Sequence, residues 1–128
     1  EYSRTATSPR VFTSARIVAT SSATGLLSAS ALRAAAYFGT KIKAVVSRGG
    51  RPDLALNVLP LVTAPTLLIV GQLDVPVIQM NKLAFDQLKS IKEMKIVPGA
   101  THLFEEPGKL MEVAEMAIEW YKEHLPEK

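Results

Sequence analysis

Three residue types able to do acyl-transfer chemistry stand just after short apolar runs in this 128-residue chain. One of its two histidines, His102, follows Lys95-Ile96-Val97 in the stretch Val97-Pro98-Gly99-Ala100-Thr101-His102-Leu103-Phe104. Asp74 closes Gly71-Gln72-Leu73-Asp74, after Thr66-Leu67-Leu68-Ile69-Val70. Ser21 and Ser22 follow Arg16-Ile17-Val18-Ala19-Thr20. A neutral serine hydroxyl is a weak nucleophile and needs a base that titrates near neutral pH. Imidazole is that base, and a carboxylate can hold its tautomer and stabilise the imidazolium that forms. Ser21 is the first candidate nucleophile and Ser22 the alternative. Each hydroxyl could equally cap a helix, and Asp74 could itself be a helix N-cap or a turn residue.

Other residues are read more plainly. Arg48, before Gly49 and Gly50, could bind a substrate carboxylate or phosphate, or lie in a solvated turn. His124 falls in the last turn of the terminal helix, where a cation suits the dipole, and it is given no chemistry. The chain has no cysteine, which excludes disulfides, thiolate nucleophiles and Cys-based zinc sites. No metal and no organic cofactor is expected.

The elements that must position these residues follow from pattern. Residues 16–20, 42–47, 66–70 and 94–97 are short apolar runs with β-branched members and read as strands, those at 16–20 and 66–70 as buried ones. Residues 26–38 are rich in Ala and Leu and favour a helix, with Gly39 as its terminator. Residues 54–62 suggest a short helix interrupted at Pro60. Residues 77–91 carry Met80, Leu83, Ala84 and Leu88 at helical spacing. From Pro107, placed at the first helical position, a long amphipathic helix buries Leu110, Ala114, Ala117, Tyr121 and Leu125. Glu105 and Glu106 suit its positive end. The order β-α-β-α-β-α-β-α predicts a three-layer α/β/α domain with about four parallel strands over residues 15–128, after an arm at 1–14.

Composition bounds the partners. Residues 1–52 carry eight Lys and Arg against Glu1, and residues 53–128 carry seven against eleven acids, so charges of +7 and −4 make up the net +3. The basic residues are scattered, with few aromatics between them to stack on bases, so nucleic acid is not the expected partner. A basic anion-binding domain would show steep salt dependence. No apolar run reaches the roughly 20 residues of a membrane-spanning helix. A cytoplasmic setting fits, although the Ser-, Thr-, Ala- and Arg-rich first 36 residues also have a transit-like composition.

In an open parallel sheet, ligands bind at the carboxyl ends of the strands, and all three candidates follow strands. Their chain order, Ser, Asp, His, is that of α/β-hydrolases. Residues 44–106, through AVVSRGGRPDL, APTLLIVGQLDVPVI and KIVPGATHLFEEPG, resemble the C-terminal half of a dienelactone-hydrolase-like α/β-hydrolase. The resemblance implies that Asp74 is the triad acid and His102 the triad base. It also implies an ester or lactone as the small-molecule substrate.

Two departures shape the expectation. The family's G-x-S-x-G elbow is absent; its nearest match is Ala19-Thr20-Ser21-Ser22-Ala23, with alanine in place of both glycines. The family's first four strands have no counterpart before residue 15, and they would supply one oxyanion-hole N–H. A strand left at a sheet edge invites pairing. The chain is therefore expected to form a homo-oligomer, pairing edge to edge through residues 15–20, or to require its missing N-terminal half. The competing expectation is a catalytically silent, truncated hydrolase fold serving as an assembly module.

Overall fold

A computed structural model describes residues 15–19 and 26–125. The predicted arm at 1–14 and both candidate serines lie outside them. The described elements are strand β1 (Ala15–Ala19), helix α1 (Leu26–Phe38), strand β2 (Ile42–Arg48), a 3-10 segment (Pro52–Leu61), strand β3 (Thr66–Gly71), helix α2 (Val75–Gln87), strand β4 (Lys92–Val97) and helix α3 (Lys109–His124). The four described strands form one sheet in the order β1-β2-β3-β4, and every neighbouring pair is parallel. This is the α/β architecture that the alternation of apolar runs implies, and β1 is the outermost of the described strands.

The strands sort their side chains onto two covered faces. On β2, Val45 joins a cluster with Leu32 and Ala35 of α1, Leu59 of the 3-10 segment, Leu68 of β3 and Ala84 of α2. Its neighbours Ala44 and Val46 point the other way and pack with Leu67, Ile69, Val97, Phe104, Val113 and Trp120. Two-sided burial explains why β3 is apolar throughout rather than alternating. Fully burying a Leu or Val contributes about 1.5–3 kcal/mol, so the sheet centre anchors the fold.

Polar ties fix the helices over the sheet. Ser28 of α1 and Ser47 of β2, both fully buried, hydrogen bond at 2.6 Å. Arg33 donates to the Leu54 carbonyl at 2.6 Å, holding α1 to the 3-10 segment. Lys92 donates from Nζ to the carbonyls of Phe85 and Leu88 at the end of α2, where a cation satisfies orphan acceptors. Trp120 Nε1 reaches the Pro65 carbonyl at 3.3 Å and fastens α3 beneath β3.

Four expectations need correction. The second helical segment is a 3-10 stretch, kinked at Ala55 with Pro60 inside it; proline cannot donate and breaks α-helical bonding. On α2, which spans 75–87 rather than 77–91, Leu83 is 58% exposed and Asn81 is buried instead, whereas Ala84 and, just past the helix, Leu88 are buried as expected. The stripe of α3 holds at Ala117, Tyr121 and Leu125 but not at its first member. Val113 and Trp120 are buried, with Met116, Ala117, Tyr121 and Leu125 packed beside them, while Leu110 is 51% exposed. Pro107 precedes the helix rather than starting it, because Gly108 is the N-cap at φ 80° and Lys109 the first helical residue.

Candidate active site

β3 and β4 finish in register, with Gly71 opposite Val97, so the segments after them leave the same edge of the sheet side by side. They then zip together. Gln72 N donates to the Val97 carbonyl at 2.9 Å and Leu73 N to the Ala100 carbonyl at 3.0 Å. The Gln72 side-chain carbonyl accepts from Gly99 N at 2.8 Å. Gly99 turns the second segment at φ 73°, a left-handed conformation that glycine adopts without a Cβ penalty. Gly71 serves closeness instead: a Cβ there would run into the Ala100 and Thr101 carbonyls.

The product of this zipper is one short contact. Nδ1 of His102 lies 2.8 Å from Oδ2 of Asp74. A carboxylate only accepts, so Nδ1–H donates and Nε2 is the basic nitrogen of the neutral ring. Asp74 occupies the N-cap position of α2 but makes no side-chain cap bond. Helix α2 begins with Val75 and Pro76, and proline near the first position suits a helix start. The pair is partly sheltered, with side-chain exposures of 14% for Asp74 and 32% for His102. Two anchors hold the histidine segment. Phe104 is buried in the α3-side core at the left-handed φ of 57°. Glu106 accepts from the Thr101 hydroxyl at 2.5 Å and from Thr101 N at 3.1 Å. These bonds lower the Glu106 carboxyl below its ordinary value, the Thr101 hydroxyl bond first.

Of the candidates from sequence, Asp74 and His102 are brought together. Ser21 and Ser22 lie outside the described residues, between the end of β1 and the start of α1. Arg48 ends β2 opposite Ile69 of β3, so it shares that residue's face, toward Phe104 and α3. Its Nε is buried with no hydrogen-bond partner among the described residues, whereas Arg51 pairs with Asp53 at 2.9 Å. His124 sits at the end of α3 against the ring of Trp120, far along the chain from the pair. Among the described residues no group of three or more His, Asp or Glu could hold a metal ion, and no helix is long and apolar enough to cross a membrane. Sequence reasoning missed Gln72 and Thr101, and it read Glu106 only as suited to the helix dipole; their signal was only proximity to the two motifs.

Parallel strands between two helical layers, with an Asp–His pair on the segments after the last two strands, define an α/β-hydrolase-type fold. The structure matches that of the dienelactone hydrolase from Anabaena variabilis at a TM-score of 0.81 and 50% identity, over 88% of this chain and 50% of that one. The fold is that of the dienelactone-hydrolase-like α/β-hydrolases. Proteins from two strains of Mycobacterium tuberculosis, provisionally named phosphoribosyl transferases, are 53% identical over 95 residues, which is 74% of this chain and 21% of each of theirs. The chain thus spans about half the length of the structural neighbour and a fifth of these curated relatives. No family model matches it.

Proposed function

We propose that the chain contributes to a serine-type hydrolase acting on an ester or lactone. The observation that carries this reading is the 2.8 Å bond between His102 Nδ1 and Asp74 Oδ2, at the edge where an open parallel sheet binds its ligands. Ser21, or Ser22, attacks the acyl carbon while Nε2 of His102 takes the hydroxyl proton. Asp74 holds the ring and stabilises the imidazolium. The proton then passes to the leaving oxygen, and water repeats the cycle on the acyl-enzyme. One oxyanion donor is the backbone N–H of the residue after the nucleophile. Arg48, whose buried Nε has no partner among the described residues, binds a polar group of the substrate. The scheme calls for no metal or organic cofactor. The transferase name of the mycobacterial relatives describes whole chains of which only a fifth is matched, so the hydrolase neighbour, which matches 88% of this chain, guides the reading.

The test is hydrolysis of p-nitrophenyl acetate by the wild type and by His102→Ala, Ser21→Ala and Ser22→Ala. The wild type should exceed His102→Ala by several orders of magnitude, and one serine variant should match the histidine variant. Equal rates for wild type and His102→Ala would overturn the reading.

A second reading rests on the position of β1 as the outermost of the four described strands. The chain is then a silent hydrolase fold until that edge is covered, by a second copy or by the complementary half of the domain. Light scattering at tens of micromolar separates the cases, since a monomer that hydrolyses ester needs no such completion.

A further inference from the structure

His102 is held by more than its acid. Its side chain is 32% exposed, so packing alone does not aim the ring, and its direction depends on where the backbone delivers it. Thr101, the residue just before it, is pinned at every polar group it has. Its N–H donates to Oε1 of Glu106 at 3.1 Å and its hydroxyl to Oε2 at 2.5 Å. Its carbonyl accepts from Phe104 N at 3.1 Å, which closes a turn over residues 101–104. One carboxylate thus takes two donors from one residue, one on each oxygen. Bonds to an ionised acceptor are stronger than neutral ones, and two together fix an orientation that one would leave free to swivel.

Glu106 serves as an anchor because it is itself anchored. Its carbonyl accepts at 3.0 Å from N of Lys109, the first residue of α3. Between Thr101 and Glu106, Phe104 adopts the left-handed φ of 57°, which a bulky residue rarely takes. Such a conformation persists only where the surroundings over-determine it. Here they are the burial of Phe104, at 1% exposure, and the pair of bonds from Thr101 to Glu106 that spans it.

We propose that Glu106 is a positioning residue, which through Thr101 sets the direction from which the His102 ring meets Asp74 and so keeps Nε2 the basic nitrogen. It touches no reacting atom. Asp74 supplies the partner for Nδ1, and Glu106 the angle at which the ring reaches it. A ring that drifts from Asp74 exchanges tautomers in water, and the proton then divides its time between both nitrogens. The effect on rate rests on the hydrolase reading, whereas the state of the ring is read without turnover.

The experiment compares wild type with Glu106→Ala, Thr101→Val and the double variant. Glu119→Gln, which alters an exposed carboxylate on α3, is the control and should match wild type. In p-nitrophenyl acetate hydrolysis, Glu106→Ala should lose about ten- to hundredfold in kcat, the scale of a misplaced group. KM should hold, because no substrate contact is removed. The double variant should lose no more than Glu106→Ala, and Thr101→Ser, which keeps the hydroxyl, should restore most of the loss seen in Thr101→Val. The second readout is the pair of ring nitrogen resonances of His102 at a pH where the ring is neutral, assigned by their absence in His102→Ala. In wild type they should stand well apart, one nitrogen protonated and one bare, and in Glu106→Ala they should move toward each other. A fall in rate with the resonances unmoved would overturn the proposal, since Glu106 would then serve folding alone. An unchanged kcat in an active Glu106→Ala protein overturns it equally. If wild type is no faster than His102→Ala, the hydrolase reading fails and the resonances alone decide: convergence in Glu106→Ala upholds the positioning role, and unmoved resonances end it. Should Glu106→Ala not fold, the comparison of Thr101→Val with Thr101→Ser decides by the same two readouts.

Discussion

The carboxylate of Asp74 stands where it could cap helix α2, yet it accepts instead from Nδ1 of His102, 28 residues away, at 2.8 Å. An N-cap side-chain bond is typically worth about 1 kcal/mol, and it is forgone here. A local bond that the backbone offers has given way to a distant one that orients an imidazole. The carboxylate thus spends its bond outside the helix, which makes the residue separable from helix stability.

Asp74→Asn tests that separation. The amide keeps the shape but can donate to Nδ1, which favours the tautomer whose Nε2 carries the proton and is not basic. Under the triad reading, ester hydrolysis should fall about 10⁴-fold, as in serine proteases with the same change. Because no cap bond is lost, the midpoint of thermal unfolding should move by only a few degrees. Loss of activity together with a collapse of the melting transition would return Asp74 to a structural role.

The clasp between Glu106 and Thr101 predicts acid behaviour for the histidine segment. The Thr101 hydroxyl and N–H bonds lower the Glu106 carboxyl below its ordinary 4.5. A depressed folded value means that the contribution is present above the unfolded value and lost as pH falls through the folded one. Amide exchange at residues 100–106, corrected for its intrinsic pH dependence, should therefore accelerate only below about pH 4.5. Glu106→Gln should weaken the clasp at neutral pH and remove the acid dependence. An exchange profile identical in the two proteins would show that the clasp does not hold the segment.

Gly71 shows how a close approach can be tested. The positions a Cβ would strike there are backbone carbonyls of Ala100 and Thr101, which cannot rotate away. Gly71→Ala should cost about 1–3 kcal/mol, the usual range for overpacking. It should also displace the segment carrying His102. Gly39→Ala is the comparison. Nothing crowds that site, and the cost arises only from its φ of 60°. A shift of the His102 ring resonances in Gly71→Ala but not in Gly39→Ala is the expected result.

Much of this was legible in the sequence because the sheet is buried on both faces. Continuous apolar runs such as Thr66–Gly71 could only be interior strands, and chemistry-bearing residues after such strands had to gather on one edge. That logic placed Asp74 and His102 without any distance. It failed where burial is not periodic. Val113 and Trp120, not Leu110 and Ala114, face the sheet, because the turn at Gly108 sets the phase of α3 and sequence spacing alone does not. Likewise Asn81 is buried where Leu83 is not: its Nδ2 donates to the carbonyls of Gly50 and Val77, partners that lie in other elements or one turn back and leave no hydrophobic signature. The roles of Gln72, Thr101 and Glu106 were invisible for the same reason, since their side chains bond loop backbone or one another.

The buried pair Ser28–Ser47 provides the last prediction, because its energetics are not additive. Both hydroxyls are fully buried and bond to each other at 2.6 Å, and a Cβ at Gly50 would collide with both side chains. Such a pair contributes modestly as a bond, about 1 kcal/mol, but a lone buried hydroxyl left behind costs about 1–3 kcal/mol. Ser28→Ala and Ser47→Ala should each destabilise the chain by about that larger amount in urea unfolding. The double variant should be less destabilised than the sum, and close to either single variant, since no orphan remains. An additive result would mean that each serine acts through packing alone, and that α1 is held to β2 by its alanine contacts rather than by this bond.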